Sequence, residues 1–212
     1  MEIELLNFEL PPIGTQCYAI LNPETLSVAV FDAPLNAFAT VEKLLVETGY
    51  SLDGLYFTHG HWDHTLDGHR FNTFGAKTFA HEEDRMFFED PETMASYSIP
   101  GLEMPAVRID QWLGQGDVLK IAGRPVEIRH VPGHSPGSIL YWFSKDGFAI
   151  TGDAVFNRSI GRTDFPGCSY EELAASIRGQ IYTLPDETIL YPGHGPQTTV
   201  VSEALQNPFV SR

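Results

Sequence analysis

The chain has 212 residues, of which 42% are hydrophobic and 19% are charged, values typical of a soluble globular protein. Its 13 Lys and Arg against 28 Asp and Glu give a formal net charge of −15, which disfavours a nucleic-acid partner and an anionic membrane surface. The length predicts one domain over residues 1–212, and no uncharged apolar run approaches the ~18 residues of a membrane segment. The two cysteines and the acidic N-terminal sequence MEIELLNFEL predict a cytoplasmic protein.

The first part of the chain is predicted to form short strands and one helix. Alternating or β-branched runs indicate strands at 2–8, 16–21, 27–32 and 54–58. Between the last two, a helix is expected to begin after Asn36 and to end at Gly49, because these residue types are common at helix boundaries.

The rest of the chain is predicted to contain both helices and strands. Helices are predicted at 64–74 and 81–88 around a strand at 77–80, and residues 89–111, with three prolines, are predicted to be a loop. Strands are expected at 117–121, 125–131, 138–144, 147–151 and 188–191. Ser169 and Glu172 form a capping box before one helix, and a last helix is expected at 198–206. Runs of strands with helices between and after them favour an α+β fold of two packed sheets with outer helices.

A dense polar cluster, THGHWDH, follows the strand GLYFT. In an extended segment His59 and His61 point to the same side. Asp63 and His64 then begin a helical turn. Neutral imidazole and carboxylate are the ligands that suit zinc, iron or manganese, so this loop predicts a metal site.

Three more metal-binding side chains occur where a strand becomes a glycine-containing loop. They are His134 in VPGHSPG, Asp153 in ITGD and His194 in YPGHG. Strand ends in packed layers converge on one rim, which is where sites form. We therefore expect these three side chains to meet the first cluster.

Together these side chains supply enough donors for two divalent ions. We expect His59, His61 and His134 to hold one ion. The second ion is expected on Asp63, His64 and His194. Asp153 would bridge the two ions, with a water position left between them.

The motifs HxHxDH, PGHSPG, TGD and PGHG occur in this order across residues 58–195 and resemble those of the metallo-β-lactamase superfamily. The resemblance implies an αββα sandwich of two mixed sheets with outer helices and the metals at one edge. The segment SIGRTDFPG, at 159–167, is similar to the single-domain, glyoxalase II-like hydrolases. That similarity makes Arg162 a candidate substrate contact, although an internal ion pair with an acid such as Asp164 is an equal alternative.

The glyoxalase II-like resemblance implies hydrolysis of a small-molecule thioester of the S-acylglutathione type. Two divalent ions, zinc or else iron or manganese, would activate a bridging hydroxide, while Asp63 and Asp153 orient the water and accept its proton. A thiolate leaving group, with a pKa near ~8.5, departs without a strong general acid. The protein is expected to be a monomer or a homodimer.

Two other reactions remain open. An iron-dependent persulfide dioxygenase is also similar, and there His59, His134 and Asp153 would hold a single iron. Hydrolysis of another ester, a lactone or a β-lactam would use the same metals with a different pocket wall. Only 18 residues follow His194, whereas glyoxalase II has an extra C-terminal helical segment that helps to grip glutathione, so the thiol carrier stays open.

The sequence allows two interpretations for some residues near the predicted metal site. Residues 89–111 are expected either to cover the site or to form a dimer surface, and Trp62 either to line the pocket or to pack in the core. His130 is expected to point inward, as a core residue or against a metal ligand. Cys168 is expected to be a spectator near the mouth rather than a nucleophile, and Asp67 not to bind metal.

Overall fold

The computed structural model describes residues 2–165 and 167–212, so Pro166 of the SIGRTDFPG segment lies outside the described residues. The strands of the first half are β1 Glu4–Leu10, β2 Thr15–Asn22, β3 Ser27–Phe31, β4 Ser51–Tyr56, β5 Thr78–His81 and β6 Gln111–Leu113. Those of the second half are β7 Val118–Ile121, β8 Arg124–His130, β9 Ile139–Phe143, β10 Phe148–Gly152, β11 Val155–Phe156, β12 Ser159–Ile160, β13 Ile189–Pro192 and β14 Thr198–Thr199.

Helices lie between and after these strands. They are α1 Ala37–Thr48, α2 Trp62–Thr65, α3 Gly68–Phe74, α4 Arg85–Glu89, α5 Tyr170–Ser176 and α6 Val200–Gln206. Short 3₁₀-helical segments span Glu82–Asp84 and Pro91–Tyr97, and α5 continues into a π-helical turn at Ile177–Ile181. None of the helices in the described ranges is long and apolar enough to cross a membrane.

The strands form two large mixed sheets. The first has the order β1-β2-β3-β4-β5-β6, in which β1 to β3 are antiparallel and β3 to β6 are parallel. The second has the order β14-β13-β10-β9-β8-β7, with β10 and β13 parallel. Helices cover the outer face of each sheet, so the predicted α+β sandwich is confirmed.

Strand β2 shows how alternation builds the layers, since all of its residues are buried. Tyr18 and Ile20 face the second sheet, where they join a cluster that contains Ile128 and Tyr141. Cys17 and its neighbours on the other face pack in the cluster beneath the outer helices. Because side chains alternate along a strand, one apolar run serves both interfaces.

Two predicted elements differ in detail. The helix expected at 64–74 is broken between α2 and α3, because the backbone N–H of Asp67 donates to the carbonyl of Ala33 instead of continuing the helix. Asp67 also accepts from the backbone N–H of Phe38 at 3.0 Å. Part of the loop expected at 89–111 is the 3₁₀ segment Pro91–Tyr97, which packs beside the site.

Candidate metal centre

Four of the predicted metal-binding side chains follow β4, at one edge of the first sheet. His59 and His61 lie in extended chain, and His61 occupies the position before α2 with φ −68° and ψ 148°. Asp63 and His64 lie within α2. All four residues are buried, and the ring of His61 also packs against Phe87 and Phe165.

The other three side chains follow strands of the second sheet. His134 lies beyond β8, Asp153 lies directly after β10, and His194 lies two residues after the end of β13. The backbone of Gly193 is pressed against this group: a Cβ there would lie 2.7 Å from Cε1 of His64. The glycine before His194 is therefore required by close approach, and its carbonyl accepts from the N–H of Gln16 on β2 at 2.8 Å.

The structure brings all seven side chains together in two adjacent groups. In the first group, ring nitrogens of His59, His61 and His134 lie within 4.8 Å of one another. His61 Nδ1 and His134 Nε2 are 2.9 Å apart. Three imidazoles thus converge from loops of both sheets.

The second group combines carboxylates and imidazoles. His64 Nε2 and His194 Nε2 lie 3.3 and 3.2 Å from Oδ2 of Asp63. Asp153 lies between the groups: its Oδ1 is 3.3 Å from His64 Nε2, and its Oδ2 is 3.5 Å from His194 and 3.6 Å from His134. This is the position predicted for a bridging carboxylate.

The donor set fits metal ions. Among the described residues, His59 Nε2, His64 Nε2 and Asp153 Oδ1 are buried without a hydrogen-bond partner, a costly arrangement for a protein that holds nothing there. Tetrahedral zinc with bonds of ~2.0–2.1 Å separates its ligand atoms by about 3.4 Å, close to the spacings above. Burial lowers the pKa of His59 and of His61, which keeps these imidazoles in the neutral form that binds metal.

A buried carboxylate that the sequence reading missed organises these ligands. Asp32 Oδ2 accepts from Nδ1 of His64 at 2.8 Å and from the hydroxyl of Thr58 at 2.8 Å. The same hydroxyl lies 3.0 Å from Nδ1 of His59. A weak signal was present, because Asp32 ends the apolar run SVAVF directly before a proline-containing loop, and it takes a left-handed backbone (φ 58°).

A cavity of about 360 Å³ opens over the centre, within the range of small-molecule sites. Beyond the metal-binding residues, its described wall is mainly apolar or aromatic. These wall residues are Ile13, Trp62, Tyr97, Phe156, Ile160, Arg162 and Phe165.

Arg162 forms the ion pair that the sequence left open, and its predicted contact with substrate stays a prediction. It lines the cavity, and its guanidinium also pairs with both carboxylate oxygens of Asp164 at 2.6 Å. The guanidinium carbon lies 4.3 Å from the ring centroid of Phe165. The main-chain carbonyl of Arg162 contacts Nδ1 of His134 at 2.8 Å, so this residue also fixes a ligand.

The contacts of Trp62 and of residues 89–111 bear on the alternatives that the sequence left open for them. Trp62 both lines the cavity and packs in a cluster with Met94 and Met104 of the 89–111 segment, whose Tyr97 reaches the cavity wall. This segment therefore covers one side of the site. A dimer surface in the same segment stays a prediction.

Three further expectations concern polar groups near the centre. Cys168 Sγ donates to the carbonyl of His134 at 2.9 Å, and burial raises the pKa of its thiol to about 11, so it is a poor nucleophile. Asp67 belongs to neither donor group. His130 is half-buried. Its Nε2 bonds the carbonyl of Pro136 at 2.7 Å and its ring stacks on His81, so this nitrogen bonds the main chain and not a metal-binding side chain.

Comparison with known proteins decides the family. Residues 13–194 match the metallo-beta-lactamase superfamily. The chain belongs to the metallo-β-lactamase superfamily. It is similar to "Hydroxyacylglutathione hydrolase GloC" of Haemophilus influenzae, with 35% identity over 97% of this chain and 99% of that protein.

Solved structures of this superfamily share the architecture. The crystal structure of the "BLEG-1 B3 metallo-beta-lactamase" matches with a TM-score of 0.89 and 33% identity, over 99% of this chain and all of that one. ETHE1 from Myxococcus xanthus matches with a TM-score of 0.74 and 26% identity, over 98% of this chain and 84% of that one. The family makes this chain a metallo-hydrolase-type protein with His and Asp residues positioned to bind metal.

Proposed function

We propose that this protein is a metal-dependent hydrolase of small thioesters of the S-acylglutathione type. The observation that carries the proposal is the joining of two donor groups, through Asp153, at the floor of an open cavity. The similarity to a hydroxyacylglutathione hydrolase over nearly the whole chain supports this substrate class.

The residues would divide the work as follows. His59, His61 and His134 would hold one divalent ion, and the remaining donors would hold a second, with Asp153 shared. Those remaining donors are Asp63, His64 and His194. When bound, such ions supply a water of lowered pKa and polarise a carbonyl oxygen.

Asp63 and Asp153 are the catalytic residues in this proposal, because both border the cavity between the two groups. Oδ2 of Asp63 accepts from the hydroxyl of Thr15 at 2.8 Å, which fixes the plane of the carboxylate. Their role is to orient a water for attack on an acyl carbon that enters from the cavity.

The wall suits a leaving group that needs no proton. Apart from the metal-binding residues, Tyr97 and Arg162 are the titratable side chains of the described wall, and Arg162 is paired with Asp164. A thiolate, with a solution pKa of ~8.5, leaves readily at neutral pH. An amine leaving group is far more basic and needs a proton donor. This difference favours thioesters over β-lactams.

One experiment separates the reactions. The purified protein is analysed for metals per chain and then assayed with S-lactoylglutathione, with glutathione persulfide under oxygen, and with a β-lactam. Two metals per chain and release of free thiol support the proposal. One iron per chain with persulfide-dependent oxygen uptake, or hydrolysis of the β-lactam alone, overturns it.

Variants test the assigned residues. His59→Ala and Asp153→Ala are expected to lose bound metal and at least 10²-fold in turnover. His69→Ala is the matched control, because His69 lies outside both donor groups and its side chain bonds the carbonyl of Leu66. Full metal content and full activity in either ligand variant would contradict the assignment.

A further inference from the structure

A second buried carboxylate, Asp84, lies behind the centre in the 3₁₀ turn Glu82–Asp84 after β5. It is fully buried and accepts three hydrogen bonds. Its Oδ2 accepts from the N–H of Gly60 at 2.7 Å and from the hydroxyl of Ser135 at 2.7 Å, and its Oδ1 accepts from the N–H of Gly137 at 2.6 Å. All three partners are uncharged.

These partners belong to the two loops that carry the first donor group. Gly60 stands between His59 and His61, beyond β4 of the first sheet. Ser135 directly follows His134, beyond β8 of the second sheet. Asp84 therefore connects, through a single side chain, the loops that bring three imidazoles together from different sheets.

The second donor group has other supports. Asp32 holds His64, and Thr15 holds Asp63. No hydrogen bond of Asp84 reaches that group in the described structure. Asp32 also reaches His59 of the first group through the hydroxyl of Thr58, whereas the contacts of Asp84 are confined to the loops of the first group.

Close packing shows that these loops lie tightly on Asp84. A Cβ at Gly137 would lie 2.6 Å from the backbone nitrogen of Asp84, and one at Gly60 would lie 2.8 Å from Cβ of Phe87. Both glycines thus permit an approach that other residues would block. A buried carboxylate is tolerated only where it is well hydrogen-bonded, and an apolar side chain at this place would leave these three buried donors without an acceptor.

We infer that Asp84 is a positioning residue that sets the spacing between the His59–His61 loop and His134, and thereby the occupancy of the metal position on the first donor group. The inference rests on the two-ion centre proposed above but not on the identity of the substrate. An asparagine at this position would turn an N–H donor toward one of the three donors it faces, so one contact would become repulsive.

The test measures zinc affinity rather than activity. Metal-free wild type, Asp84→Asn and Ser135→Ala are titrated with Zn²⁺ in competition with a chromophoric chelator. Asp84→Asn is expected to bind one ion with wild-type affinity and the other 10–100-fold more weakly. Ser135→Ala, which removes one of the three bonds, is expected to weaken the same ion by a smaller factor, about 3–10-fold. Asp90→Asn, an exposed carboxylate nearby, is the matched control.

Combination with ligand variants shows which ion is affected. In a His194→Ala background, where the second group is incomplete, Asp84→Asn should weaken the remaining tight binding by the same 10–100-fold. In a His61→Ala background, where the first group is incomplete, it should have no further effect. Circular dichroism of each metal-free variant checks folding, and Ser135→Ala carries the test if Asp84→Asn does not fold.

Equal weakening of both ions, or unchanged affinity for both in the folded variants, would overturn the inference. A wild type that binds a single ion would also overturn it if that ion is not weakened by Asp84→Asn or Ser135→Ala. A wild type that binds two ions but cleaves no thioester would overturn the proposed function and leave the Asp84 comparison intact.

Discussion

Asp32 Oδ2 accepts a hydrogen bond from Nδ1 of His64 at 2.8 Å. This bond places the proton of His64 on Nδ1 and directs Nε2 to Asp63 and Asp153. Through the hydroxyl of Thr58, the same oxygen also orients His59 of the other donor group. One carboxylate therefore sets the ring orientation of a histidine in each group.

Replacing this carboxylate should weaken the centre without removing a ligand. In Asp32→Asn, an amide N–H would face one of the donors that Asp32 now accepts from, and His64 would lose its orientation. We expect zinc affinity to fall 10–100-fold, measured by chelator competition. Asp117→Asn, at an exposed turn, is the control and should bind zinc as wild type does. Unchanged affinity in a folded Asp32→Asn protein would refute this role.

Removing the metal should destabilise the fold, because the buried donor atoms of the centre then lose their partners. A chelator is expected to lower the Tm, and added Zn²⁺ to restore it in a concentration-dependent way. At a free concentration of 100 times Kd, binding stabilises by about 2.7 kcal/mol. Thermal unfolding of wild type and His59→Ala checks this, and the variant should show a smaller shift. Identical shifts in both proteins would exclude His59 as a ligand.

The pH dependence of stability provides a separate check on Asp84. Burial raises the pKa of Asp84 to about 6, although the hydrogen bonds from Ser135, Gly137 and Gly60 lower it. The folded state therefore holds the proton more tightly than the unfolded state, whose ordinary value is 3.8. Stability from this group is present below about pH 4 and is lost as the pH rises through about 6.

The expected size of this loss is about 2 kcal/mol between pH 4 and pH 6.5 in the metal-free protein. Urea unfolding at several pH values measures it as the difference between wild type and Asp84→Asn, which cannot titrate at this position. The free energy of unfolding of wild type should fall relative to the variant as the pH rises. Parallel pH profiles for the two proteins would contradict the prediction.

The pair of Arg162 and Asp164 should control how anionic substrates bind. Both side chains are more than half exposed, so their ion pair is worth little and a substrate carboxylate can replace Asp164. Asp164→Asn is expected to lower the KM for S-lactoylglutathione by about 2–5-fold, and Arg162→Gln to raise it by a similar factor. A neutral thioester of N-acetylcysteamine should be unaffected. Equal KM changes for both substrates would show that Arg162 does not read the charge.

The convergence of the seven side chains was predictable from sequence because each motif joins a metal-binding side chain to a strand end, and strand ends share a rim. The layered fold was accessible because runs such as SVAVF alternate between two apolar interfaces. Strand β6 was missed because three residues are too few to show a period.

Asp32 and Asp84 were not recognised for a different reason. An aspartate in a loop or a helical turn is usually solvated, and the position of Asp32 at the end of an apolar run is the one local sign of burial that either residue carries. The partners of Asp84 are distant in sequence: Gly60 is 24 positions away, Ser135 is 51 and Gly137 is 53. Such pairings depend on how the two sheets come to lie against each other.

The facing nitrogens of His61 and His134 are separated by 73 residues of chain and belong to opposite layers of the sandwich. Closing a loop of that length carries an entropic cost that must be met before an ion finds its donors. We therefore expect the metal ion to bind after the chain has folded and to stabilise the folded state, rather than to nucleate folding. Refolding without zinc should proceed at the same rate as refolding with zinc, and only the stabilisation by bound metal should be absent.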